Sequence, residues 1–294
     1  MRFLLFLILL GVSAFAEQAP AIGALPEVQF EKLTDRTLTR LGQKAITVRR
    51  GEWKHGETAH FVYHFFDRPM ASAVAVEAEF YYRVIAGELG RDTALWERKC
   101  HLFLFDDEAD WKLFQKFGGL DPWTGGIHGE GALFIRRNPG WQAENATLPH
   151  EITHLVLYRF FGQGIPLWLN EGFAEYAAAR CRAAFYRARG FSARPHATPV
   201  KAGQYIALGE LTGATGYPED ETQVIAFYEE SQKLVRFLCA ADRKAFTGFL
   251  EAMGNGALLE SAVSKSFGNR FLNLDAIERE FKSYATSPLI PTTP

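Results

Sequence analysis

The chain has only three cysteines, Cys100, Cys181 and Cys239. Three leave room for at most one disulfide, and their spacing matches no cysteine-based zinc site. Sequence does not choose a pair among them, and all three read as core residues. An excess of charge of either sign is also missing. Lys and Arg number 32 against 34 Asp and Glu, a net charge of −2. That argues against nucleic acid or an anionic membrane surface as the main partner. After the first few residues no apolar run approaches the roughly 20 needed to span a bilayer. No internal repeat is present, which excludes a solenoid or propeller.

The one long apolar run stands at the start. Met1-Arg2 is followed by ten apolar residues, Phe3 to Val12, and then by Ser13-Ala14-Phe15-Ala16. This order predicts a signal peptide over residues 1–16, cleaved after Ala16, and hence a secreted or periplasmic protein. No cysteine follows the run, so nothing points to lipid attachment. No stable membrane insertion is expected once the signal is removed.

Apolar residues make up 48% of the chain and aromatics 14%, enough for a large core. Residues 17–50 read as an N-terminal segment with a loose Ala- and Pro-rich beginning. Ala45–Val48 and His60–Phe66 are expected as strands, with a turn over 51–56. Residues 71–89 predict a helix closed by Gly90. Cys100–Phe105 predicts a short buried strand. Asp106 or Asp107 is placed to cap a helix carrying Trp111, Leu113, Phe114 and Phe117. The six glycines between Gly118 and Gly131 predict a loop, and 131–137 another strand. A helix is expected over 147–161, where Pro149 is tolerated in the first turn. A second runs from Leu167 into the 180s. Residues 186–220 read as irregular, and helices follow near 221–239, 243–252, 257–266 and 274–285. The fold class is α+β: a mixed α/β lobe over about 51–164 and a helical lobe over about 165–290.

The chemistry concentrates where those lobes meet. His150-Glu151-Ile152-Thr153-His154 is an H-E-x-x-H pattern on a predicted helix. Four residues turn a helix by about 400°, so both imidazoles project from nearly one face, roughly 6 Å apart along the axis. Two histidines so placed can chelate one zinc ion. Glu151, about 100° round, stands beside the metal as a base for water. Leu148, Ile152, Leu155 and Val156 make the helix central, where unpartnered polar groups would be costly. A third ligand is expected on a neighbouring element, and Trp168-Leu169-Asn170-Glu171-Gly172 supplies Glu171.

Together these motifs resemble the gluzincin metallopeptidases, the aminopeptidase-like and thermolysin-like proteins. The resemblance is strong over about 148–177. It implies a zincin-like layout for 51–290, a Zn2+ cofactor held by His150, His154 and Glu171, and hydrolysis of a peptide or protein substrate with Glu151 as general base. Glu175, one turn after Glu171, corresponds to a carboxylate that orients a ligand histidine, here His150. Tyr228, in Phe227-Tyr228-Glu229-Glu230-Ser231, is similar to the tyrosine that donates to the oxyanion. Tyr205, Tyr217 and His196 compete for that role. The G-x-M-E-N strand of the aminopeptidases is absent: Gly129-Glu130-Gly131-Ala132-Leu133 stands in its region, which speaks against strict aminopeptidase activity. Residues 131–137 are instead expected as the edge strand that pairs with an extended peptide. His55, His60, His64, His101 and His128 have no ligand spacing and read as structural. Two other readings stay open: an exported zinc-binding scaffold that does not cleave, and a zinc amidase acting on a non-peptide substrate.

Overall fold

The computed structural model describes residues 23–95, 98–122, 124–137, 146–191 and 205–286. The expected signal peptide and His196 lie outside the described residues. Within them the chain is mixed α/β, with one five-stranded sheet and ten α-helices. The strands are β1 (Lys54–Glu57), β2 (Phe61–Phe65), β3 (Cys100–Phe105), β4 (Gly126–Gly129) and β5 (Ala132–Arg136), in sheet order β1-β2-β3-β5-β4. The three inner strands run parallel, and both outer strands are antiparallel to their neighbours. All six residues of β3 are buried. That is why it reads as an unbroken apolar run: both its faces are covered.

One face carries α2 (Arg68–Glu88) and α4 (Thr147–Phe161), and the other carries α1 (Arg40–Ile46) and α3 (Glu108–Gly118). Asp67 accepts from the Met70 N–H to start α2, and Asp107 accepts from Ala109 and Asp110 to start α3. These caps satisfy donors that a helix start leaves free. Trp111 and Phe114 of α3 are buried, whereas Leu113 and Phe117 are exposed.

Two expectations are overturned here. Residues 45–48 are not a strand: Thr39 accepts from Gly42 and begins α1, which runs through Ala45, and the next strand starts at Lys54 in the expected turn. The edge strand is not 131–137 either. β5 is internal, between β3 and β4, and β4 is the edge, inside the expected glycine-rich loop. Glu130 and Gly131 join β4 to β5 with φ of +56° and +83°. A two-residue turn with positive φ at both positions matches strand twist, and glycine adopts it without strain.

The remaining helices are α5 (Leu167–Ala188), α6 (Leu208–Gly213), α7 (Glu221–Ala241), α8 (Arg243–Gly254), α9 (Leu259–Phe267) and α10 (Leu274–Ala285). One apolar cluster joins the sheet's α2/α4 face to α5, α7, α8, α9 and α10. The sheet and the C-terminal helices therefore share a core. α5 lies between α4 and α7. A Cβ at Gly172 would come within 2.4 Å of the Ser231 carbonyl oxygen, so only glycine lets α7 approach α5 this closely. Among the described residues no helix is long and apolar enough to cross a membrane.

Candidate metal centre

α4 is apolar and buried on most sides: its own Leu148, Ile152, Leu155, Val156 and Leu157 are all buried. Its polar exceptions, His150, Glu151 and His154, point toward α5 and β4. The imidazole Nε2 atoms of His150 and His154 face each other at 3.0 Å. Glu171 of α5 brings Oε2 to 3.3 Å from His150 Nε2 and 3.6 Å from His154 Nε2. These residues each offer one ligand atom, all within 4.8 Å of one another, so the group could hold a metal ion.

Each of the three is also held from behind. His150 Nδ1 lies 3.0 Å from Glu175 Oε1, and His154 Nδ1 lies 3.1 Å from Asn170 Oδ1. Both partners are acceptors, so each Nδ1 carries a proton and each Nε2 is turned toward the other ring and Glu171 Oε2. The Tyr217 hydroxyl donates to Glu171 Oε1 at 2.7 Å. Glu171 Oε2 is buried with no hydrogen-bond partner. Two imidazole nitrogens and an anionic oxygen thus converge on one point, a donor set that could hold a cation. Histidine ligands of metals are commonly fixed in this way through the second ring nitrogen.

Glu151 sits beside this point under the edge strand. The His128 backbone is near enough to its carboxylate to favour the charged form slightly. A Cβ at Gly126 would fall 2.4 Å from Thr147 Cγ2 and 3.1 Å from Glu151 Cγ, so the glycine of β4 lets the strand lie against the base. Burial raises the Glu151 carboxyl above its ordinary value, with His150 and His154 pulling it back. For Glu171 burial also acts upward, but His154 and His150 outweigh it and hold the carboxylate down. Burial would lower His150, yet Glu171 and Glu175 beside it keep it well above the usual imidazole range.

No protein-family model matches the chain, and no curated protein compared with it matches either.

Of the other expected site residues, Tyr228 on α7 places its ring centroid 6.3 Å from that of His150 and stacks on Tyr217 at 5.9 Å and 15°. Burial, then Glu171, raises its phenol. Tyr205 is committed elsewhere, donating to Glu278 of α10. Glu130 accepts from the Leu41 N–H at the start of α1, so its carboxylate serves the hairpin and that helix. Sequence reasoning missed Asn170 and assigned Tyr217 no part at Glu171. Asn170 adjoins Glu171 in the quoted motif, and only the packing of α5 on α4 reveals its partner. The three cysteines are buried and unpaired.

The histidines set aside as structural include an unexpected chain on the sheet face opposite α4. His55 Nδ1 lies 2.8 Å from His64 Nδ1, and His64 Nε2 lies 2.8 Å from His101 Nδ1. His101 Nε2 faces Asp35 at 3.8 Å, and Asp35 is paired with Arg98. Residues 28–35 lie over this chain, with Phe30 edge-on to His55 at 5.3 Å and the Val28 N–H donating to the His55 carbonyl. His60 is separate, bound to Glu79 at 2.6 Å.

Proposed function

We propose that this protein is an exported zinc-dependent metallopeptidase. The observation that carries the reading is the pair of Nε2 atoms 3.0 Å apart, each ring held by an outward Nδ1–H, converging on Glu171 Oε2. Two imidazoles and one carboxylate form the donor set of catalytic rather than closed structural zinc sites. Zinc, when bound, would polarise a carbonyl and acidify water. The protein's own groups do the rest. Glu151 accepts the proton of the attacking water and returns it to the leaving amine, a role suited to a buried carboxyl with a raised pKa. Glu175 and Asn170 keep the imidazoles in one tautomer and one orientation. Tyr228 donates to the developing oxyanion. An extended peptide would lie along β4, which has β5 on one side and no strand on its other among the described residues. Export rests on the first sixteen residues.

The test is to purify the protein, measure its metal content and challenge it with a mixed peptide pool. About one zinc per chain is expected, lost in His154→Ala. Glu151→Gln leaves all three ligands, so it should keep the metal while turnover falls by about 10² or more. Metal without cleavage of any peptide would favour the scaffold reading, and cleavage confined to a non-peptide amide would favour the amidase.

A further inference from the structure

Tyr217 precedes α7 in the short connection 214–220. Leu211, fully buried, anchors the chain before it. Asp220, which accepts from the Gln223 N–H, anchors it after. Tyr217 is 45% exposed as a residue, yet its ring is held on two sides, stacked on Tyr228 and edge-on to Phe227 at 6.4 Å and 85°. Its hydroxyl is the donor on Glu171 Oε1, at 2.7 Å. The other oxygen of that carboxylate faces both imidazoles, 3.3 Å from His150 Nε2 and 3.6 Å from His154 Nε2.

A carboxylate can bind a cation through one oxygen or both. Bound through both, Glu171 would fill an extra coordination position, and the site would have less room for water and a substrate carbonyl. A phenol that donates to Oε1 engages one of that oxygen's lone pairs and fixes the plane of the carboxylate. We infer that Tyr217 is a positioning residue that holds Glu171 to one-oxygen ligation, so that the metal keeps an open position. This deepens the metallopeptidase reading and rests on its metal site.

The experiment compares the parent with Tyr217→Phe, which removes one hydroxyl from a half-exposed ring, and with Tyr217→Leu, which lacks the hydroxyl and the ring. Each is stripped of metal and titrated with Co2+ against a chelator of known affinity, and the visible absorption of the Co2+ form is recorded. Melting temperatures of the stripped proteins check the fold. Partners that orient a ligand typically carry 10–100-fold in metal affinity, so about a 10-fold or larger loss is expected in both variants. The visible bands of the variants should lose intensity, because Co2+ absorbs more weakly as its coordination number rises above four. A parent that binds Co2+ and variants with the same affinity and the same bands would overturn this inference alone. A variant that binds more weakly with unchanged bands would also overturn it, since the ligation mode would not have moved. A parent that takes up no Co2+ or Zn2+ would remove the metal site itself, and this inference with it.

Discussion

Acid should unfold this protein from the sheet face opposite the candidate metal centre. His64 is fully buried and His101 is 4% exposed. Every contact between two imidazoles needs one N–H and one lone pair, so the chain from His55 to His101 is satisfied by neutral rings. Burial pushes His64 well below the ordinary imidazole value, with His101 and His55 adding to it. Burial also lowers His101, against Asp35, which pulls it up. The half-exposed His55 is lowered as well, with Glu31 and Glu27 opposing. The unfolded chain titrates its histidines near 6.5, so below that pH it binds more protons than the fold does. Stability is then complete above about pH 6.5 and falls as the pH drops toward the folded values. Each fully shifted group contributes up to about 1.4 kcal/mol per pH unit. His64 and His101 together therefore remove up to about 2.7 kcal/mol per unit, from a total of order 5–15 kcal/mol. His150, raised in the metal-free protein, opposes them around and above pH 6.5, where the unfolded imidazole loses its proton first. Glu77, Glu151 and Glu230, raised chiefly by burial, oppose the histidines, so the decisive quantity is a difference between variants. The assay is urea unfolding of the metal-free protein at about pH 7.5, 6.5 and 5.5, read as ΔG from the linear dependence on denaturant. His64→Leu should flatten the pH slope by about 1.4 kcal/mol per unit. A variant with the parent's slope would refute the reasoning.

Three further outcomes are expected. Tyr228→Phe should lower kcat by roughly 10²-fold and leave KM nearly unchanged, as for a donor used only in the transition state; steady-state kinetics on a cleaved peptide decides it. Gly172→Ala pushes a methyl into the Ser231 carbonyl, 2.4 Å away, and should destabilise by about 1–3 kcal/mol or more as α5 and α7 separate, measured by denaturant unfolding. Exported material should begin at Glu17; N-terminal sequencing that finds Met1 would sink the signal-peptide proposal.

Much of the fold was legible because local chemistry decides it. The apolar run Cys100–Phe105, the Asp107 cap and the extent of α4 each follow from residues adjacent in sequence. Where local signals compete, the reading fails. Ala45-Ile46-Thr47-Val48 has the composition of a strand, but the cap that decides its state is Thr39, six residues earlier. β4 is hidden for a different reason. Gly126-Ile127-His128-Gly129 is a poor strand by propensity, and Gly126 answers to the closeness of Thr147 and Glu151 rather than to strand preference.

The same distinction runs through the metal centre. His150, Glu151 and His154 are legible because one helical turn brings them together, and Glu171 and Glu175 because a second helix repeats that spacing. The groups that make the triad a ligand set lie outside such spacing. Asn170 meets His154 only because α5 packs on α4, and Tyr217 reaches Glu171 from 46 positions along the chain. Without those partners the imidazoles could rotate or carry their protons on Nε2, and the H-E-x-x-H pattern would be a helix with two satisfied histidines. The case for a metal therefore depends less on the motif than on the three outward hydrogen bonds, which leave two Nε2 atoms and one carboxylate oxygen pointing at the same place.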